Sequence, residues 1–429
     1  MSVPIAVCLG VLLAGAAGVQ LLIAVLFRRR FLLTDRTKSS SDTPRESEPL
    51  DGAAAILMSL RGSDPSLPKS IAGALSQEFD GAYQVRVVVD HETDPAVAVL
   101  EDLKQNHPNG DRLNYRMMEA PSKTCSLKCH SLSQSVEGLP PEVEYVVLLD
   151  ADVRPHPTWL AELIKPLSDE KIGGVTGTQW FEPPASAGLG AWLRGVWNGG
   201  AAILSIYFAN PWAGSFAMRR SDLLACGLVE RWQQSMVDDG PIGTAMNSID
   251  KKIHFAPSLV MVNRENCTLG YTLRWAARML TWSRRNESTF WITIVHAVFS
   301  NFVMLANFVM LVAGLAGWLP LAVIWISLAA LVFAGIACAA AFTVARSCVG
   351  ESLRLRSQTL TPLTGRHWFW AFACAAPAHL MFGWGCVMAL VTKKIAWRGI
   401  DYRLGPKGEI ERLNYVPFVE TKSKTDHSI

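Results

Sequence analysis

The chain has 429 residues, 50% of them hydrophobic and 18% charged, with a formal net charge of +3. An ordinary soluble domain is about a quarter charged, so this length accommodates one sizeable catalytic domain plus a membrane part. The small net charge and the lack of a large basic run argue against a nucleic-acid partner.

Residues 3–27 run without a charge and are followed at once by Arg28, Arg29 and Arg30. As a helix they cross about 30 Å of hydrocarbon. A cleaved signal peptide carries its charge before a shorter apolar core. Here the order is reversed, so residues 1–30 are expected to be an uncleaved anchor with its arginines in the cytosol. Residues 31–50, rich in Ser and Pro, read as a polar linker.

From 51 to 285 short apolar runs alternate with helical stretches. AAAILMSL, YQVRVVVD, EYVVLLDAD and IGGVTGTQ read as strands, with PSLPKSIAGALSQ, DPAVAVLEDLKQNH and TWLAELIKPLSD as helices. That order predicts an α/β domain with a mostly parallel sheet covered by helices. Gly188–Phe208 is aromatic and carries one charge, Arg194. It suits an amphipathic helix in the membrane interface, or else a buried helix of the domain.

Residues 286–395 are expected to be membrane helices. The stretches 290–317 and 319–345 form a helical hairpin flanked on both sides by arginines, which places both its ends in the cytosol. Residues 367–391 are also apolar, broken by Pro377 and His379. Whether they span, or re-enter and leave the tail cytosolic, stays open at this stage. Residues 396–429 read as a polar tail whose last dozen residues lack a folding signal. The nine cysteines contain no CxxC pair, only Cys125 and Cys129 at CxxxC spacing, which fits reduced thiols better than a disulfide framework or a zinc site.

The strongest chemical signal is Asp150-Ala151-Asp152. It places two carboxylates at the carboxyl end of a strand, the edge where open α/β sheets bind ligands. Such oxygens suit Mg²⁺ or Mn²⁺ shared with a diphosphate. Asp90 ends another strand. Asp94 precedes Pro95 and can equally cap the next helix. Asp238 and Asp239 are adjacent. Paired carboxylates in a cleft raise one another's pKa, so one can act as a general base near neutral pH.

The ordered set LRGSDPSL, VVVDHETDPA, Lys128, LLDADVRP, GSFAMRRSDLL, VDDGPIG and RMLTW resembles the ceramide glucosyltransferase branch of the family-two-type glycosyltransferases over about residues 55–290. The resemblance implies a GT-A fold and an inverting transfer of a hexose, glucose first among them, from a UDP-sugar to a membrane lipid hydroxyl. It places Asp90, Asp94 and Lys128 at the nucleotide-sugar and Asp150 and Asp152 at the metal and diphosphate. Asp239 falls at the catalytic base, beside Asp238. Arg278 and Trp282 match the outer positions of a (Q/R)xxRW motif whose inner arginine is here Thr281. Arg284 or Arg285, one turn on, could replace that charge. The acceptor could be ceramide, diacylglycerol, a hopanoid or a polyprenyl phosphate, met at the cytosolic face of a multi-pass protein. A processive polysaccharide synthase and a non-catalytic membrane protein with a decayed domain are the competing readings.

Overall fold

The computed structural model describes residues 1–39, 52–286, 290–354, 356, 358–405 and 408–418. The expected linker beyond Ser39 and the last dozen residues lie largely or wholly outside these.

In chain order the elements are helix α1 (Ser2–Ser39), strand β1 (Ala53–Leu60), α2 (Leu67–Leu75), β2 (Tyr83–Val89), α3 (Ala96–Asn106), β3 (Leu113–Met117), α4 (Leu127–Glu137), β4 (Val143–Leu149), α5 (Trp159–Ile164), β5 (Ile172–Phe181), α6 (Leu189–Phe208), β6 (Ser215–Arg219), α7 (Arg220–Ala225), α8 (Leu228–Trp232), α9 (Ile242–Asn247) and β7 (Lys252–Asn263). Then follow α10 (Leu269–Asn286), α11 (Phe290–Leu315), α12 (Leu321–Arg354), α13 (Gly365–Ala373), α14 (Ala375–Val391), and the short strands β8 (Lys394–Trp397), β9 (Ile400–Leu404) and β10 (Ile410–Arg412).

These elements divide into two compact units. The catalytic unit comprises residues 41–179, 208–261 and 392–429, and the membrane unit residues 1–40, 180–207 and 262–391.

The catalytic unit is built on a seven-stranded sheet of order β3-β2-β1-β4-β6-β5-β7. β3, β2, β1 and β4 run parallel, and β6 is antiparallel to both its neighbours. Side chains alternate between the faces of a strand. In β1, Ala54, Ile56 and Met58 pack with Val85, Val87, Leu100, Trp159 and Leu163 on one face. Ala55 and Leu57 pack with Leu132, Val146, Leu148, Phe216 and Trp232 on the other. Burial on both faces is why these strands read as unbroken apolar runs. Where the runs end, the chain turns polar: Arg61 follows β1, Asp90 follows β2, and Asp150 follows β4.

The described residues of the polar tail are folded. β8, β9 and β10 form an antiparallel sheet of their own. Ile400, Tyr402 and Leu404 are buried on one face, alternating with exposed Asp401 and Arg403. The Tyr402 hydroxyl accepts from the Leu127 N–H at 3.2 Å. The Arg412 guanidinium donates to Ser122 O at 2.7 Å and Pro121 O at 2.8 Å.

Among the described residues of the membrane unit three helical segments are long and apolar enough to cross a bilayer: Ser2–Arg29, Phe290–Leu315 and Leu321–Arg354. The apolar stretch expected at 367–391 is the pair α13 and α14, bent by 43°. The side-chain amide of Asn307 donates to Leu9 O at 3.0 Å, tying α11 to α1. α1 continues as helix through residues 31–39, where a linker was expected to begin. α6 and α10, expected within the catalytic stretch 51–285, fall with the membrane helices. Trp192 of α6 is 1% exposed and stacks on Trp370 of α13, ring planes 12° apart. Trp192 is thus covered by α13 of the membrane unit, not by the catalytic domain as the buried-helix reading expected.

Candidate active site

α4 begins at Ser126, whose hydroxyl accepts from the Cys129 N–H at 3.1 Å and caps the helix. That fixes the first turn, from which Lys128 extends. Its Nζ lies 2.6 Å from Asp150 Oδ1 and 2.8 Å from Asp238 Oδ2. Asp238 is held from behind by the Trp232 indole N–H, which donates to its carbonyl at 2.8 Å. Gly214 stands against Asp150: a Cβ there would come within 2.8 Å of Oδ2. Glycine therefore lets β6 approach the carboxylate.

The electrostatics follow from burial and charge. Burial opposes the charge on Lys128, but Asp150 and Asp238 outweigh it and hold the ammonium well above its usual pKa. Asp238 is raised by burial, with Lys128 acting against the rise. Asp239 is pushed up to about 7, first by burial and then by the neighbouring Asp238 charge. A carboxylate poised there can accept a proton near neutrality. Its carbonyl accepts from the Ile242 N–H at 3.1 Å, at the start of α9.

Asp152 lies two residues beyond Asp150 and its Oδ2 accepts from the Gln179 amide at 3.3 Å. Both carboxylates are partly accessible. Among the described residues no three His, Cys, Asp or Glu side chains converge on one point. A hard divalent cation fits this pair on the condition that a diphosphate completes its oxygen shell, the usual arrangement for Mg²⁺.

Asp90 is 2% exposed. Its Oδ2 pairs with the Arg61 guanidinium and accepts from the Phe418 N–H at 3.1 Å. Its Oδ1 is buried without a hydrogen-bond partner. Burial raises its pKa, with Arg61 opposing. Asp94 uses both oxygens on the backbone, accepting from Gly62 N–H at 2.7 Å and Ala96 N–H at 2.9 Å. It shapes the loop and starts α3, the capping alternative weighed for it above.

Arg278 and Trp282 lie on α10, which groups with the membrane helices. Trp282 is 8% exposed. Thr281 is buried and its hydroxyl bonds back to Ala277 O at 2.7 Å, so it offers no charge in place of the absent arginine. Arg284 does not supply that charge to a donor either: its guanidinium donates to Ala389 O at 2.7 Å and Leu390 O at 3.0 Å, at the negative end of α14.

Three participants escaped the sequence reading. Arg61 carried a usable signal, standing at a strand end like Asp90 and Asp150. Tyr415 and Phe418 did not, because they sit in a tail read as polar.

The chain matches the pattern of glycosyl transferase family 21 over residues 14–410. It belongs to that family. It is therefore a glycosyltransferase of the ceramide glucosyltransferase branch, and its mostly parallel sheet is the GT-A catalytic layer. No curated relative matches the chain. Among solved structures it is similar to the mannosyltransferase PcManGT from Pyrobaculum calidifontis in complex with GDP-Man and Mn²⁺: TM-score 0.49, 15% identity, covering 91% of this chain and 99% of that one. It is also similar to glucosyl-3-phosphoglycerate synthase from Mycobacterium tuberculosis in complex with Mn²⁺, UDP-glucose and phosphoglyceric acid: TM-score 0.35, 17% identity, 56% and 78% covered.

Proposed function

We propose that this family 21 enzyme transfers a hexose, glucose first among candidates, from a UDP-sugar to the hydroxyl of a membrane lipid, with inversion. The observation that carries the reading is the cluster at the carboxyl edge of the sheet, where one lysine is shared by Asp150 and Asp238 and Asp239 is poised near pH 7. Asp239 takes the proton from the acceptor hydroxyl as its oxygen attacks the anomeric carbon from the face opposite the diphosphate. Lys128 holds Asp150 and Asp238 in place and contributes positive charge beside the departing diphosphate. Asp150 and Asp152 would hold Mg²⁺ or Mn²⁺, which when bound neutralises that leaving group. Asp90 serves the nucleotide, and Arg278 and Trp282 belong to the donor side as the family motif implies.

The protein is read as multi-pass with its catalytic unit cytosolic, on the positive-inside arginines. The bonds of residues 398–418 to Arg61, Asp90 and Leu127 add a topological constraint. The chain leaves the catalytic unit before α10 and rejoins it after α14, which supports an even number of crossings between. α11 and α12 account for two crossings, and the bent pair α13–α14 then dips in and returns. The domains follow: an anchor in α1, a catalytic unit assembled from three segments, and a membrane unit.

UDP release from candidate UDP-sugars, with and without a lipid hydroxyl acceptor, tests the reading. Lipid-stimulated release of UDP with a glycolipid product is expected, and Asp152→Ala should remove the Mn²⁺ dependence of UDP binding. Release without any lipid dependence, or a growing polysaccharide product, would overturn it.

A further inference from the structure

Residues 398–418 lie more than 300 positions from Arg61 and Asp90 in sequence, yet converge on both. The Arg61 side chain donates through Nε to Arg398 O and through Nη2 to Val416 O, each at 2.8 Å, while its Nη1 pairs with Asp90. The Arg398 guanidinium returns a bond to Arg61 O at 2.9 Å. The Tyr415 hydroxyl donates to Asp90 O at 3.2 Å, and the Phe418 N–H to Asp90 Oδ2 at 3.1 Å. The Phe418 ring seats over Gly62, which has φ +80°. A Cβ there would meet the ring at 2.7 Å. Arg61 and Arg412 stand over the rings of Phe418 and Tyr415.

This arrangement saturates one oxygen of Asp90 and leaves the other, Oδ1, buried and unpartnered. Leaving a buried carboxylate oxygen unbonded is costly. An N–H donor brought by a ligand satisfies it, and the imide N–H of a pyrimidine base is such a donor. Tyr415 and Phe418 both bond Asp90, through the hydroxyl and the N–H, and aromatic side chains are the usual companions of a bound base.

We propose that the C-terminal segment Arg412–Phe418 is a wall of the nucleobase pocket, with Arg61 as the positioning residue that ties it to Asp90. This rests on the nucleotide-sugar reading above and adds that donor affinity is set in part by residues beyond the membrane helices.

The test uses full-length protein in lipid nanodiscs, titrated with UMP, which carries the base but no diphosphate, and with UDP plus Mn²⁺. Truncation after Leu413, Tyr415→Phe and Phe418→Ala should each weaken both ligands. The truncation is expected to cost about 10- to 100-fold, as for loss of bonds to a buried charged group. KM for the donor should rise in step while kcat moves little. Arg61→Ala should behave like the truncation, and Arg61→Lys should recover part of the affinity. Should the truncated protein not fold, the two point variants decide. Unchanged or tighter UMP binding in the variants, with wild type binding normally, would overturn the wall and make the segment a removable cover. Wild type that binds neither UMP nor UDP would bring down the underlying donor reading as well.

Discussion

Two ion clusters, one in each unit, contrast a candidate site with a structural pair. In the membrane unit Glu182 is 2% exposed and fully answered. Arg346 reaches its Oε1 through Nη2 at 2.6 Å and through Nε at 2.9 Å, and the Trp180 indole donates to Oε2 at 2.9 Å. One acid meets one arginine, with His367 Nε2 3.9 Å from its Oε1, and Thr361 O takes a further N–H of Arg346. In the catalytic unit a single Lys128 faces Asp150 and Asp238 with Asp239 alongside. Charge there is unbalanced, one ammonium against more than one carboxylate. A saturated cluster has no capacity for a ligand. An unbalanced one raises a carboxylate pKa and invites a cation or a proton.

The contrast can be broken by mutation. Asp239→Asn should reduce turnover by about 10²- to 10⁴-fold, the contribution of one general base, while donor binding in equilibrium titration stays near wild type. If Asp238→Asn instead produces that loss and Asp239→Asn is active, the two carboxylates exchange roles. Glu182→Gln leaves Arg346 buried and uncompensated, and should destabilise the protein by about 3–5 kcal/mol in denaturant unfolding. Activity per folded molecule should be unchanged. A loss of kcat without a loss of stability would place Glu182 in the reaction and erase the distinction.

The pH response sharpens it further. With Asp239 needed as the unprotonated base, kcat/KM should rise about tenfold per pH unit below neutrality and level off above about 7. Asp239→Asn should flatten that limb. Stability moves the other way. Because the folded state holds the Asp239 proton more tightly than the unfolded chain, this contribution is complete below the ordinary Asp pKa. It fades as pH rises through about 7. This is the smallest effect expected, seen as a lower Tm at pH 8 than at pH 5 that is reduced in Asp239→Asn.

The sheet and its carboxylates were legible because parallel strands buried on both faces read as apolar runs, and each run stops at a polar residue: Arg61, Asp90, Asp150. The pairing of Asp238 and Asp239 could be read from adjacency alone, but which partner meets Lys128 could not. The tail was misread for a physical reason. Its strands are three to five residues long and bury only alternate side chains, as in Ile400, Tyr402 and Leu404. That gives a weak period-two signal beside a strongly apolar helix. The assignment of α6 and α10 to the membrane unit was equally hidden, since an amphipathic pattern shows that a face is buried without showing against what.

The three-segment composition of the catalytic unit has a consequence for biosynthesis. A ribosome delivers residues in order, at about 5–20 per second. Between Met261, where the second segment of the unit ends, and Thr392, where the third begins, it must make α10 to α14. At that rate the interval is about 6 to 26 seconds. Through it the sheet exists without the strands that hold Tyr402 against α4 and Arg412 against Ser122, and Asp90 waits for Phe418. The unit closes only after α14 has been made, so the maturation of its fold waits on the synthesis of all the apolar helices between its second and third segments.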